Sequence, residues 1–258
     1  MNRVVVITGA AGGLGQALCR CFAEQGATVV ALDHDPLGLQ HLQTRLGDGT
    51  LFCSELDIRD ATAIRLCFAR LIEQHGRIDI LINNAGITQI SAAPELSADT
   101  LDQVMAVNFR GAALCAIAAM PALRESGGSH VAISSVAGFA PLSKRSVYCA
   151  SKHAMNGFFD TLRAEEREHG VHVLVVYPSF IATNPGSLNA KTDIQRPGAA
   201  DDAIDPMSPD QAAVRIVRAI AARAERLSLG RVAVFSYWIA RLSPTLYEYL
   251  MRRSLAKT

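Results

Sequence analysis

Val4-Val5-Val6-Ile7-Thr8-Gly9-Ala10-Ala11-Gly12-Gly13-Leu14-Gly15 opens the chain on a β-branched run that breaks into a glycine-rich turn. The run reads as a buried strand, and apolar residues three and four apart over 14–25 read as the helix that follows. Glycines at such a junction permit a tight turn and let the backbone approach a pyrophosphate at the helix N-terminus. The spacing is G-xxx-G-x-G, distinct from the G-x-G-x-x-G of the general dinucleotide fingerprint. A second strand, 28–32, leads into Asp33. An acid at the end of that strand can accept both hydroxyls of an adenosine ribose and would repel a 2′-phosphate. No Lys or Arg adjoins it, the next residues being His34 and Asp35, so the pattern favours NAD over NADP. The competing reading is that Asp33 only opens the turn before Asp35-Pro36.

Outward from this start, strand and helix patterns alternate. Further β-branched runs stand at 78–82, 130–133, 171–176 and 232–235, with a less regular one at 50–54. Helical periodicity fills 37–46, 61–75, 99–124, 147–169 and 209–226. Apolar strands separated by helices predict a parallel sheet buried on both faces. The expected architecture is therefore α/β: one Rossmann-type doubly wound domain over 1–258, about seven strands with helices on both faces. Two stretches leave this rhythm. Residues 184–208 are rich in Pro, Gly, Ala and Asp and aperiodic, as functional loops are. Residues 237–258 form an aromatic, basic tail with a short helix begun by Ser243-Pro244.

Twenty-five Lys and Arg against 24 Asp and Glu leave a formal charge of +1, which offers no field for nucleic acid and suits a small metabolite. Six cysteines at 19, 21, 53, 67, 115 and 149 include no CxxC and no paired zinc spacing, so no metal site is expected and reduced packing thiols are. The first strand begins so near the N-terminus that no signal peptide is expected, and the apolar stretch 111–123 is short for a bilayer and carries Pro121. A cytoplasmic address is expected.

The chemistry centres on Tyr148 and Lys152, four residues apart and hence on one helix face. A tyrosine is a poor base at neutral pH, and a neighbouring ammonium is expected to move its pKa down. The pair Ser134-Ser135 lies shortly upstream. No HExxH and no Gly-x-Ser-x-Gly elbow supplies a rival mechanism.

Taken in order, Thr8-Gly9-xxx-Gly13-x-Gly15, Asp57, Asn83-Asn84-Ala85-Gly86, Asn108, Ser135, Tyr148-xxx-Lys152, Pro178 and Thr183 resemble the short-chain dehydrogenase/reductase family across about 3–235. The resemblance implies that Tyr148 is the general acid/base and that Lys152 lowers its pKa and bonds the nicotinamide ribose. It implies that Ser135, which precedes Val136-Ala137-Gly138, holds the substrate oxygen, and that Asn108 anchors a water chain to Lys152. Gly9, Gly13, Leu14 and Gly15 would cradle phosphate. Asp57 and Ile58 would meet the adenine, and Asn84, Ala85 and Gly86 would line the adenosine side, while Asn83 bonds the neighbouring strand. Pro178, Ile181 and Thr183 would flank the nicotinamide. The family commonly has Pro-Gly after the sixth strand, and this chain reads Pro178-Ser179-Phe180, so altered geometry is expected there and Phe180 is expected to narrow the pocket.

The resemblance also places 184–208 over the substrate cleft. With Ile194, Ile204 and Met207 in it, and Lys191 and Arg196 its main cations, an apolar secondary alcohol or ketone is the expected substrate. A homo-dimer or homo-tetramer is implied. For the tail, packing on the domain or on a partner subunit is favoured over covering the cleft or resting on a membrane. The alternative in function is a catalytically silent dinucleotide-binding regulatory or scaffold protein, which would need none of Ser135, Tyr148 and Lys152. Sugar-nucleotide epimerisation is disfavoured, because those relatives usually carry another glycine spacing and a larger C-terminal region.

Overall fold

The computed structural model describes residues 2–47, 49–183, 194–195 and 206–255. In chain order the elements are β1 (Val4–Thr8), α1 (Gly13–Glu24), β2 (Thr28–Asp33), α2 (Pro36–Leu46), β3 (Leu51–Glu55), α3 (Ala61–His75), β4 (Ile80–Asn83), β5 (Thr88–Gln89), α4 (Ala98–Met105), α5 (Ala112–Ser126), β6 (Ser129–Ile133), α6 (Ser146–Glu165), β7 (His172–Pro178), β8 (Ile194–Gln195), α7 (Pro209–Ala221), β9 (Arg226–Leu229), α8 (Arg231–Leu242) and α9 (Pro244–Leu255). Seven strands form one parallel sheet in the order β3-β2-β1-β4-β6-β7-β9, and β5 pairs antiparallel with β8 apart from it.

Each central strand is buried on both sides, so alternate residues serve opposite cores. Val5, Ile7, Val29, Ala31, Ile82, Val131 and Val176 face α1, α2 and α7. Val4, Val6, Val30, Leu32 and Leu81 face α3 and α5, and Ala132, Val173 and Val175 face α5 and α6. The strand order reverses between β1 and β4. A crevice therefore opens at their carboxyl ends, where ligands of open α/β sheets bind.

The starts of several helices follow from local chemistry. Asp35 caps α2 by accepting from the Gly38 N–H, Asp60 caps α3 through Thr62 and Ala63, and Ser208 caps α7 through Gln211. Helix α4 runs on through a π-helical turn, Ala106–Gly111, into α5. This composite, Ala98–Ser126, is long and apolar enough by composition to cross a membrane, unlike the shorter stretch the sequence suggested. Its Ala112, Cys115, Ala116, Ala119 and Leu123 are buried against the sheet and its neighbouring helices, as in a core helix.

One expected strand is a helix. The run 232–235 lies inside α8, and the seventh strand is Arg226–Leu229, beside β7. The β-branched Val232 and Val234 favour a strand locally, but Ala233, Tyr237 and Ala240 recur at helical spacing. Ala233 and Ala240 pack inward with Ile239 on Val136 and Ala140. The helix expected to reach residue 226 ends at Ala221, where the turn places Arg223 at φ 48. Of the irregular stretch 184–208, only Ile194, Gln195 and residues 206–208 are described. Lys191, Arg196 and Ile204 lie outside the described residues.

His130 on β6 is fully buried, tilted against Phe159, with neither ring nitrogen hydrogen-bonded. Burial lowers its pKa to about 4, with Glu166 opposing weakly. Between pH 6.5 and 4 the unfolded chain binds the proton and the folded one does not, so stability falls as pH drops through this window. The expected loss is about 3 kcal/mol by pH 4. Urea unfolding at stepped pH should show a shallower acid loss in His130→Leu than in the parent chain, and identical slopes would contradict this.

Candidate active site

The crevice is a cleft of about 470 Å³. Its floor is the glycine-rich turn. Gly9 sits at φ 65, where an added Cβ would lie 2.7 Å from the Ala85 backbone, and a Cβ on Gly15 would meet the Gly9 carbonyl. The turn is tied to the end of β4 through Thr8 and Asn84. The Thr8 hydroxyl accepts from the Asn84 and Ala85 N–H groups at 3.1 and 3.2 Å, and the Asn84 amide donates to the Thr8 and Gly9 carbonyls at 3.0 Å each. Asn84 thus supports the turn through its side chain. The buried amide of Asn83 has no hydrogen-bond partner, which reverses the expectation that Asn83 bonds the neighbouring strand. Strand alternation explains this: consecutive residues point opposite ways, and only Asn84 points at the turn.

At the end of β2 the Asp33 carboxylate is buried. It accepts from the Ala11 N–H at 2.9 Å and the Asp35 N–H at 3.1 Å, with His34 Nδ1 3.1 Å away. Asp57 is gripped by Arg59, whose Nη2 lies 2.6 Å from Oδ2, and that hydrogen bonding holds its carboxyl below the usual range. Sequence reading passed over Arg59, although its spacing from Asp57 suits this ion pair. Ile58, Asn84, Ala85, Gly86, Leu14 and Gly13 complete this end of the lining.

Helix α6 delivers the reactive end. Tyr148 and Lys152 are buried on its inward face and both line the cleft. Ser135 lines the cleft with Tyr148 and its hydroxyl accepts from the Ala137 N–H at 3.1 Å, whereas the Ser134 hydroxyl is turned away to donate to Asn156 Oδ1 at 2.6 Å. Lys152 Nζ lies 5.9 Å from the Tyr148 ring centroid and donates to the Ile133 carbonyl at 2.8 Å. Burial lowers the Lys152 pKa to about 8. The Tyr148 phenol moves opposite to expectation: burial raises its pKa, and the opposing influences are the Ser135 hydroxyl and then the charge of Arg145. Arg145, three residues before Tyr148, lines the same cleft and donates to Thr88 Oγ1 at 2.7 Å. Its helical spacing from Tyr148 was the available signal.

Asn108 lies beneath the cleft, fully buried on the π-helical turn. Its Oδ1 accepts from the Ile87 N–H and its Nδ2 donates to the Ile87 carbonyl, both at 2.8 Å, and Nδ2 also donates to Ser151 Oγ at 2.9 Å. Ser151 in turn donates to the Tyr148 carbonyl. Asn108 therefore braces β4's extension against the first turns of α6. Gly9, Gly15, Pro178, Ile181 and Thr183 line the cleft, and so do Leu142, Phe180 and Ile194, while Thr8 and Met207 are not part of its lining. Ser179 avoids positive φ, and its hydroxyl donates to the Leu229 carbonyl at 3.0 Å, beside Gly230.

A doubly wound sheet with this crevice at its switch point is a scaffold on which dinucleotides bind. The model of the family described as short chain dehydrogenase matches residues 3–193. The chain is 36% identical over 262 residues to the Bos taurus protein named Dehydrogenase/reductase SDR family member 7B, covering 97% of this chain and 80% of that one. It is 34% identical to the Anopheles gambiae Dehydrogenase/reductase SDR family protein 7-like, covering 99% and 84%. A solved short-chain dehydrogenase from Streptomyces avermitilis superposes with a TM-score of 0.82 at 28% identity, over 100% of this chain and 98% of that one. A metagenomic short-chain oxidoreductase in complex with NADP gives 0.73 at 28%, over 88% and 96%. The chain belongs to the short-chain dehydrogenase family.

Asn108→Ala would leave the part-buried Ile87 N–H and carbonyl without their side-chain partner. The expected cost is about 1–3 kcal/mol in urea unfolding at pH 7, and a change below a few tenths would show that the brace is not needed.

Proposed function

We propose that this protein is an NAD-dependent dehydrogenase or reductase that interconverts a secondary alcohol and a ketone of apolar character. The observation that carries this reading is one cleft lined by Ser135, the phenol of Tyr148, the buried ammonium of Lys152, the glycine turn and Asp33. The lining suits a nicotinamide dinucleotide on its own terms. The glycine turn is a cradle that a Cβ at Gly9 or Gly15 would fill, and the ammonium of Lys152 has three donors, of which the Ile133 carbonyl takes one and Met155 Sδ, a weak acceptor at 4.0 Å, another. Gly9, Gly13 and Gly15 would hold the pyrophosphate, Asp33 the adenosine ribose, Lys152 the nicotinamide ribose, and Pro178, Ile181 and Thr183 the nicotinamide. When bound, the dinucleotide supplies the hydride chemistry.

The chain's own groups handle one proton and the substrate's position. Tyr148 Oη gives its proton to the carbonyl oxygen in reduction, or takes the hydroxyl proton in oxidation. Ser135 shares the substrate oxygen and stabilises charge that gathers there. Burial raises the phenol's pKa, and Ser135 and then the charge of Arg145 oppose it by favouring the phenolate. Ile181, Phe180, Leu142 and Ile194 shed water around the substrate, which supports an apolar body for it. NAD is preferred because the Asp33 carboxylate faces the lining and the guanidinium of Arg59 is engaged by Asp57. A homo-dimer or homo-tetramer belongs to the same reading, with Leu101 and Ile117 exposed on α4 and α5, and six free cysteines support a reducing, cytoplasmic setting. A silent binding protein would have no use for a serine, a phenol and a buried ammonium gathered in one cleft.

Tyr148→Phe keeps the ring and removes the proton. Turnover with NAD and a panel of secondary alcohols should fall by about 10²–10⁴ with NADH binding retained, and unchanged turnover would end the assignment. Asp33→Ala removes a charge-assisted contact to the ribose. The KM for NAD is expected to rise roughly 10- to 100-fold with that for NADP unchanged or lower, and a parent chain that prefers NADP would contradict the cofactor choice. In the same panel, lipophilic secondary alcohols should outpace polyols.

A further inference from the structure

The C-terminal hairpin of α8 and α9 is amphipathic in a way that its own packing does not use up. Its inner face joins the body of the protein: Ala233, Ile239, Ala240, Tyr247 and Met251 cluster with Val136, Phe139 and Ala140, the turn that follows Ser135. Its outer face is apolar and open. Val234, Phe235, Trp238 and Leu242 recur along one stripe of α8, and Leu246, Tyr249 and Leu250 along one stripe of α9. Phe235, Trp238 and Leu242 are 65, 56 and 77% exposed. Among the described residues, seven of the fifteen exposed large apolar side chains fall on this hairpin, so they form a patch.

The charges around the patch decide what covers it. Residues 231–255 carry four arginines, Arg231, Arg241, Arg252 and Arg253, against one glutamate, Glu248, which pairs with Arg252 at 2.6 Å. A second copy docked here about a twofold axis would place like arginines against each other around the contact, because such an interface is self-complementary. A surface bearing phosphate anions over hydrocarbon meets both features at once: arginines reach the headgroups, and Phe235, Trp238, Leu242 and Leu250 enter the acyl boundary. Trp238 and Tyr249 supply the aromatic residues that favour that boundary.

We propose that the outer face of the α8–α9 hairpin docks this protein on a membrane surface rich in anionic phospholipid. Docking through this hairpin sets the bilayer against the element that packs on the Ser135 turn, so the cleft lies next to the phase in which an apolar substrate would be dissolved.

Trp238 is the one tryptophan of the chain, which makes the test direct. The full chain is mixed with phosphatidylcholine vesicles, with or without one third phosphatidylglycerol, and followed by sedimentation and by tryptophan emission. Binding to the anionic vesicles should exceed binding to the neutral ones by roughly tenfold or more, weaken in high salt and shift Trp238 emission to the blue. Arg241→Gln with Arg253→Gln keeps the fluorophore and should remove most of the anionic preference. Phe235→Ser with Trp238→Ser alters exposed positions and should abolish sedimentation with circular dichroism and thermal unfolding unchanged. Failure to bind either vesicle, equal binding to both, or a Phe235/Trp238 variant that dissociates an oligomer while still sedimenting with vesicles would overturn the proposal.

Discussion

The ammonium of Lys152 has left water for a site with one strong acceptor, the Ile133 carbonyl 2.8 Å away. Much of the cleft can be understood as what makes that burial tolerable. Helix α6 must enter the core at the height of β6's last carbonyl, and Asn108 and Ser151 fix its first turns there. The cost appears in the Lys152 pKa, pushed down to about 8. Between about 8 and its ordinary value the unfolded chain holds the proton and the folded chain releases it, so stability rises with pH across that window. Such stored cost is typical of groups kept for chemistry rather than for folding.

The electrostatics of Tyr148 follow from the same burial. A dry phenol resists ionisation, and a lysine alone, offset from the ring and bonded to a backbone carbonyl, does not reverse that. Ser135 and Arg145 contribute the opposing influences, one through its hydroxyl and one through charge. The site is therefore a four-part arrangement on a loop and one helix, with Arg145 joined through Thr88 to the small sheet that β8 completes. Strand β8 and the surroundings of the phenol are in this way mechanically linked.

Much of this was legible in the residues because the signals were periodic or punctuating. The β-branched runs of β1, β2, β6 and β7 gave their strands within a residue or two, and the glycine turn and α6 placed both ends of the cleft. What escaped was set by tertiary context. Val232 and Val234 look like a strand until Ala233 and Ala240 find Val136 and Ala140, and β9 is an edge strand of ordinary residues that pairing, not composition, makes extended. The roles of Asn83 and Asn84 depended on which faced the turn, a parity that adjacent identical residues do not reveal. The sign of the Tyr148 shift depended on the depth of burial, which no spacing encodes.

The ionisation of Lys152 tests the account most directly. The chain has four lysines, at 144, 152, 191 and 257, so ¹³C-labelled lysine gives a spectrum in which each side chain can be followed through a pH titration. With the resonance assigned by Lys152→Arg, the account predicts one midpoint near 8 for Lys152, well below those of exposed lysines. Four titrations all clustered near the ordinary lysine value would show that the ammonium remains in water, and the cleft described above would lose its foundation.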